Sequence, residues 1–353
     1  MMKERIMRRL VVSCAFFTVT AIALMLLYMK NRTYVYASGG TLEETDATLA
    51  EQIRNMSLEN MTELNIIRRQ EDGILIPIHD GITEENISMV TDSVNRNVRV
   101  YIDGLDENYF NAQRISADQS RVTGCRIGYE NGITQLMFRF DSTYECRISK
   151  ENGNLRIKLY RPREIYDFIV LVDVGHGSSD AGDSGNGVSE KKIILKIAEK
   201  LHDIVGEASI GLYFTRLSDV ELTDEDRLRL VKSTDADILI SIHTAISEDP
   251  EMFGVNVYYN GTYFTNALPS VQLADMMARN VAGAVYGRAN GIYPADAMRP
   301  LVYNAQVPAI ELEVGHLSNA AEAGLLMQEE YQQRIAEGIY QTICDAQRAM
   351  EER

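Results

Sequence analysis

Cysteine is scarce in this chain of 353 residues: there are four, and no two of them form a C-x-x-C pair. A zinc site built on paired thiolates is thereby excluded. Cys14 falls in an uncharged apolar run, and Cys344 in a helical pattern that suits a buried thiol. Cys125 and Cys146 share a strand-rich region, where a disulfide and two separate thiols are both open. Basic charge is also in short supply, with 35 Lys and Arg against 51 Asp and Glu, for a net charge of −16. Residues 1–32 are net +5 (six basic side chains against Glu4), which leaves −21 on the rest of a chain whose total is −16. A body that acidic repels a phosphate backbone, so nucleic acid is excluded as the partner. The hydrophobic fraction of 45% and charged fraction of 24% are those of a globular protein rather than a disordered one.

Charge is missing altogether from Leu10 to Met29, a run whose length matches the hydrocarbon core of a bilayer. A cleaved signal peptide usually has a shorter apolar region. Val35-Tyr36-Ala37 has the look of a cleavage site, but Lys30 and Arg32 separate it from the run. The expectation is a retained single-pass anchor over residues 1–32. Four basic residues before the span and two after it place the body outside the cytoplasm, in the cell envelope.

Residues 33–72 read as a stalk or linker, partly helical, because Leu49, Ile53, Met56, Met61 and Leu64 recur at roughly helical spacing. Residues 73–162 read as a small β-sandwich. Its strands are Ile74–Ile76, Val98–Ile102, Gln135–Phe140 and Leu155–Tyr160, punctuated by Gly104, Asn131-Gly132 and Asn152-Gly153. His79 there reads as a surface residue. The module faintly resembles the β-rich wall-targeting modules of AMIN type.

Residues 163–353 read as an α/β domain, a mostly parallel sheet with helices on both faces. Phe168–Val172 is continuously apolar, as a strand buried on both faces requires. Glu190 opens a helix with Ile193, Ile194, Ile197, Leu201 and Ile204 on one face. Ile238–Ile242 and Ala309–Leu312 are further strands, a shorter one lies near 255–259, and helical patterns run near 270–286 and 321–348.

Three of these strands end in groups able to bind metal or move protons: His176, His243 and Glu313. In open α/β sheets, sites form beyond the carboxyl ends of the strands, so these residues and Glu190 converge on one rim. Two histidines, one carboxylate and a free position make a catalytic zinc shell, and a further carboxylate is needed to shuttle the proton. Each residue alone has a plainer explanation. A histidine after a strand is more often structural, and a glutamate at a helix start usually serves the macrodipole. Glu313 is harder to dismiss, because a buried strand end is a costly place for a carboxylate. Glu311, two positions earlier on the same face, is its natural decoy.

The segment from Asp167 to Ala349 resembles the zinc-dependent N-acetylmuramoyl-L-alanine amidases of the Amidase_3 type. The matching elements are Val172–Ser178, Asp180-Ala181-Gly182, Glu190-Lys191, Thr215-Arg216 with Asp219 and Arg227, Ala236–His243, and Pro308–Gly315 followed by Ser318-Asn319. The resemblance implies that His176, Glu190 and His243 bind Zn2+ and that Glu313 is general base and acid. It implies peptidoglycan as substrate, cut at the amide between N-acetylmuramic acid and L-alanine. Arg216, Asp219 and Arg227 read as a structural ion-pair cluster, and Arg288 as a solvated side chain rather than a contact to a peptide carboxylate. Some members place a plugging helix between the second histidine and the glutamate. Here the 70 residues from His243 to Glu313 are used up by expected elements, so an open site follows. Ser178, Thr244-Ala245 and His316 depart from the family pattern, and for His316 two roles are open, a second polar group at the site and the plainer one of filling the aromatic slot. Two other readings compete: an inert wall-binding protein, and a zinc peptidase acting on another wall amide.

Overall fold

The structure is a computed structural model and describes residues 56, 58, 60–70, 72–205 and 210–352. The expected anchor and most of the expected stalk lie outside these residues. Among the described residues no helix is long and apolar enough to cross a membrane.

The front half contains β1 (Thr62–Glu63), β2 (Ile67–Arg69), β3 (Ile74–Pro77), β4 (Ile87–Asp92), β5 (Asn97–Asp103), the single-turn α1 (Tyr109–Ala112), β6 (Ser116–Asp118), β7 (Val122–Glu130), β8 (Ile133–Phe140), β9 (Glu145–Glu151) and β10 (Asn154–Tyr160). They form two five-stranded sheets, β1-β7-β8-β5-β4 and β2-β6-β3-β10-β9. Val98, Val100, Leu136 and Phe138 of the first sheet share one core with Ile74, Ile76, Leu155 and Ile157 of the second. The expected sandwich is thus present. Asn131-Gly132 and Asn152-Gly153 close its two tightest hairpins, with φ of 53°, 86°, 48° and 73°, the pair of positive values that a two-residue turn of this hand requires.

One expectation is corrected here, and one open alternative is decided. Residues 60–70 are not helical: Thr62 pairs with Ile127, and Ile67 pairs with Ser116. The apolar spacing of Met61 and Leu64 suited a helix, but pairing partners far along the chain decide the conformation. Cys125 and Cys146 are free, buried thiols rather than a disulfide. They sit on β7 and β9, in opposite sheets.

The second half is a six-stranded mixed sheet in the order β14-β11-β15-β18-β16-β17. Its members are β11 (Phe168–Val174), β14 (Ile210–Phe214), β15 (Ile238–Ala245), β16 (Val255–Tyr259), β17 (Ala289–Pro294) and β18 (Ala309–His316), with a small hairpin of β12 (Ser184–Gly185) and β13 (Val188–Ser189) beside it. Four of its five pairings are parallel, and only β16 against β18 is antiparallel. The helices are α2 (Glu190–Val205), α3 (Asp224–Thr234), α4 (Ser270–Ala284), α5 (Pro300–Asn304), α6 (Ala320–Leu326) and α7 (Glu329–Glu351). The helical pattern near 321–348 is therefore two helices, broken at Gln328, which is extended with ψ 129°.

The two faces of this sheet differ. On one, Val170, Val172, Val174, Ile240, Ile242, Ile310, Leu312 and Val314 pack against α2, α4 and α7. Each such side chain contributes about 1.5–3 kcal/mol of burial. On the other, Ile169, Leu171, Leu239 and Ala309 pack against α3 and α5 only over the early part of each strand. Further along the same strands that face turns polar, with Asp173, Ser241, His243, Glu311 and Glu313. Side chains on one face alternate with those on the other.

The halves also touch. Tyr213 of β14 donates to Glu145 of β9, and both residues are buried. The Thr143 hydroxyl lies 2.7 Å from that of Ser233 on α3. Within the second half, the ring of Tyr166 lies so close to Gly211 on β14 that a Cβ there would stand 2.7 Å from it.

Candidate active site

Glu190 is the hub of the site. It stands at the first position of α2, and its carboxylate reaches over the rim of the sheet. Its Oε2 lies 3.2 Å from Nε2 of His176 and its Oε1 lies 2.9 Å from Nδ1 of His243. The backbone N–H groups of Asp183 and Thr244 donate to the same carboxylate at 2.7 and 2.9 Å. Asp180 accepts from Nδ1 of His176 at 2.7 Å, which leaves Nε2 facing inward.

His176 follows β11 in a left-handed conformation, φ 59°, which costs a residue with a side chain about 1–2 kcal/mol. The surrounding bonds offset it. Arg227 donates to the carbonyls of Val174 and His176, and Arg216 donates to those of Val174 and Gly175. Ser178, where the family has glycine, takes φ 50° and donates its N–H to Asp219 at 2.7 Å. Gly175 permits a close approach to the second histidine, since a Cβ there would lie 2.3 Å from the His243 ring.

The electrostatics favour positive charge. Burial alone would lower the pKa of His176, but the bonds to Glu190 and Asp180 outweigh it and raise it. For His243, burial again opposes, and Glu190, Glu311 and Asp173 raise it to about 9. Burial would raise Glu190, yet its two imidazole partners hold it far below the usual carboxylate range.

His176, Glu190 and His243 offer ligand atoms within 4.8 Å of one another. Tetrahedral zinc with bonds of about 2.0–2.2 Å sets its ligand atoms roughly 3.3–3.6 Å apart, a spacing within the 4.8 Å limit of this group, and one Glu190 oxygen lies 3.2 Å from His176 and the other 2.9 Å from His243. The donor set fits a three-ligand metal site with a position left over. No side chain from residues 244–312 belongs to this group.

Glu313 is in register with His243 on the neighbouring strand. Its Oε1 accepts from Nη2 of Arg299 at 2.9 Å and its Oε2 from Nδ2 of Asn256 at 2.8 Å. Glu311 accepts from Nε of the same arginine at 2.8 Å. All four residues expected at the rim therefore come together. His79 and Arg288 are exposed, as expected. His316 is buried, its backbone N–H donating to Glu322 at 2.6 Å and its Nδ1 lying 3.7 Å from the same carboxylate, and it is not a member of the ligand group.

The expected cluster of Arg216, Asp219 and Arg227 needs correction in its pairing. Arg227 pairs with buried Asp173, Asp219 pairs with Lys191 at 2.8 Å, and Arg216 binds carbonyls. Asp173 was legible as the one charged residue inside an apolar strand. Asn256 carried only the weak signal of alternation in β16, and Arg299, between Met298 and Pro300 in a loop, carried none.

The Amidase_3 profile, described as N-acetylmuramoyl-L-alanine amidase, matches residues 170–345. The chain is 30% identical over 191 residues to the germination-specific N-acetylmuramoyl-L-alanine amidase of Bacillus subtilis (strain 168), across 50% of this chain and 78% of that protein. It is 28% identical over 171 residues to the amidase LytC of the same strain, across 48% of this chain and 34% of that one. Among solved structures, the catalytic domain of the amidase CwlV from Bacillus (Paenibacillus) polymyxa var. colistinus aligns at 29% identity with a TM-score of 0.47, across 52% of this chain and 99% of that one. With a profile match from β11 to α7 and a relative covered over most of its length, the chain belongs to the Amidase_3 family of N-acetylmuramoyl-L-alanine amidases, hydrolases of peptidoglycan.

Proposed function

We propose that the protein cuts the amide joining the lactyl group of N-acetylmuramic acid to L-alanine of the stem peptide, with zinc held by His176, Glu190 and His243, and Glu313 as general base and acid. The register of His243 with Glu313 carries this reading, because it sets a carboxylate beside an open His-Glu-His group. Zinc bound there supplies a Lewis acid for the scissile carbonyl and a water of near-neutral pKa. Asp180 orients the His176 imidazole through the ring nitrogen that faces away from the metal position. Glu313 takes a proton from the attacking water and returns it to the departing amine of L-alanine. Its carboxylate, gripped at both oxygens, is already in place for that transfer.

An inert wall-binding protein would have no use for a fixed carboxylate next to a complete ligand group. A peptidase on another wall amide would use the same metal chemistry, so the cleaved bond must be observed. The front sandwich, with no catalytic inventory, positions the enzyme on the wall. The uncharged run from Leu10 to Met29 supports a membrane anchor with the catalytic half outside the cytoplasm.

The purified protein is expected to carry about one zinc per chain. Mass spectrometry of digested muropeptides should show intact stem peptide freed from glycan. His176→Ala should lose metal and activity together. Full activity in a metal-free sample, or cleavage within the stem peptide, would refute the proposal.

A further inference from the structure

Glu311 and Glu313 stand on the same face of β18, with side chains 13% and 10% exposed. Two carboxylates so placed repel each other and lose hydration, so a cation between them is required. Arg299 is that cation, and its geometry goes beyond neutralisation. It does not grip one carboxylate with two nitrogens, as arginine often does. It spends Nε on Glu311 at 2.8 Å and Nη2 on Glu313 at 2.9 Å. Its guanidinium lies over the ring of Tyr258, 3.3 Å from the centroid. Tyr258 is the cross-strand partner of Glu311, and Asn256 that of Glu313.

We infer that Arg299 is a positioning residue for the proton shuttle, and that Glu311 is its anchor. The inference rests on the amidase reading of the site. Glu311 and the Tyr258 ring hold the guanidinium on one side, so it can offer only one nitrogen to Glu313. Asn256 takes the other Glu313 oxygen from the neighbouring strand. The carboxylate is thereby aimed along β18 beside His243, and each oxygen keeps a lone pair for the proton. Lysine would keep the charge but not the two-way fork. Arg299 arrives from the short segment between β17 and α5, outside the strands that carry the ligands.

The test compares the full-length wild type with R299M/E311Q and R299K on a soluble muropeptide, with kcat, KM, zinc content and Tm measured for each. R299M/E311Q removes one positive and one negative charge, so the local balance is kept and Glu313 loses only its clamp. Its zinc content and Tm are expected to stay near wild type, its KM to change little, and its kcat to fall about 10- to 100-fold, as misplacement of a reacting group does. R299K should recover part of that kcat. If the double variant does not fold, R299K decides the matter: a kcat below wild type at unchanged Tm supports the inference, and wild-type kcat overturns it. A folded double variant with wild-type kcat, or with its whole loss in KM, also overturns it. A wild type that leaves muropeptides intact overturns the amidase reading and this inference together, whereas an active wild type matched by its variants overturns this inference alone.

Discussion

Replacing Glu313 by glutamine tests the proposed proton shuttle separately from the proposed metal site, and its cost can be worked out beforehand. The substitution keeps the shape and leaves His176, Glu190 and His243 untouched, so zinc is expected to stay bound. It removes the group that accepts and returns the proton, a loss of about 10²- to 10⁴-fold. It also disturbs the local bonds, because both oxygens of Glu313 accept, from Arg299 and from Asn256. A glutamine must turn its NH2 toward one of these donors, which forfeits a bond to a charged group or leaves a donor facing a donor. That costs about 1.5–3 kcal/mol, and each kcal/mol lowers Tm by about 2–4 °C in a domain of this size. The double variant N256D/E313Q restores the pattern, since an aspartate at 256 accepts from the new amide while its carbonyl accepts from Arg299. Stability should return and activity should not, because β16 lies one strand, about 4.8 Å, beyond β18 from His243. The assay is stem-peptide release followed by mass spectrometry, with zinc content and Tm measured on the same samples. An E313Q protein cleaving within tenfold of wild type, or one that has lost its zinc, would refute the assigned role.

Two further outcomes are expected. Burial raises the pKa of Glu145 above its unfolded value, while the Tyr213 bond and Arg147 only partly oppose it. The stabilising contribution of protonated Glu145 is full below the unfolded pKa and is lost as pH rises through the folded one. Glu145→Gln should therefore flatten the decline of Tm between acid and mildly alkaline pH, and a decline as steep as that of wild type would contradict this. Removing residues 1–162 should leave a domain that still cleaves soluble muropeptides, because all four site residues lie beyond that point. It should bind intact sacculi less well, and a Tm drop is expected because Tyr213, 1% exposed, loses its cover. A folded, zinc-loaded but inert fragment would show that the sandwich takes part in catalysis.

Most of this architecture was readable where local chemistry was decisive. The Asn-Gly pairs forced hairpins, and the apolar runs at Phe168, Ile238 and Ala309 could only be buried strands. Legibility failed where distant partners decide. β1 and β2 exist because β7 and β6 pair with them, and nothing within 60–70 announces that. The break at Gln328 has neither glycine nor proline to mark it. At the site, His176, Glu190 and His243 were legible as a group because each ends a strand or opens a helix. Arg299 was not, since its meaning comes from two carboxylates 12 and 14 residues away.

The division of the mixed sheet into an apolar face and a face that turns polar bears on how this enzyme can change over generations. Along β11, β15 and β18 neighbouring residues answer to different demands, one to packing and the next to chemistry. A saturation scan of Phe168–Val174, Ile238–His243 and Ala309–Val314 should accordingly show tolerance alternating with period two near the strand ends. Val172, Ile242 and Leu312 should accept other apolar residues of similar size, whereas Asp173, His243 and Glu313 should accept almost none. Drift in the core and innovation at the site can thus proceed on the same few residues of chain without interfering, provided no insertion shifts a strand by one.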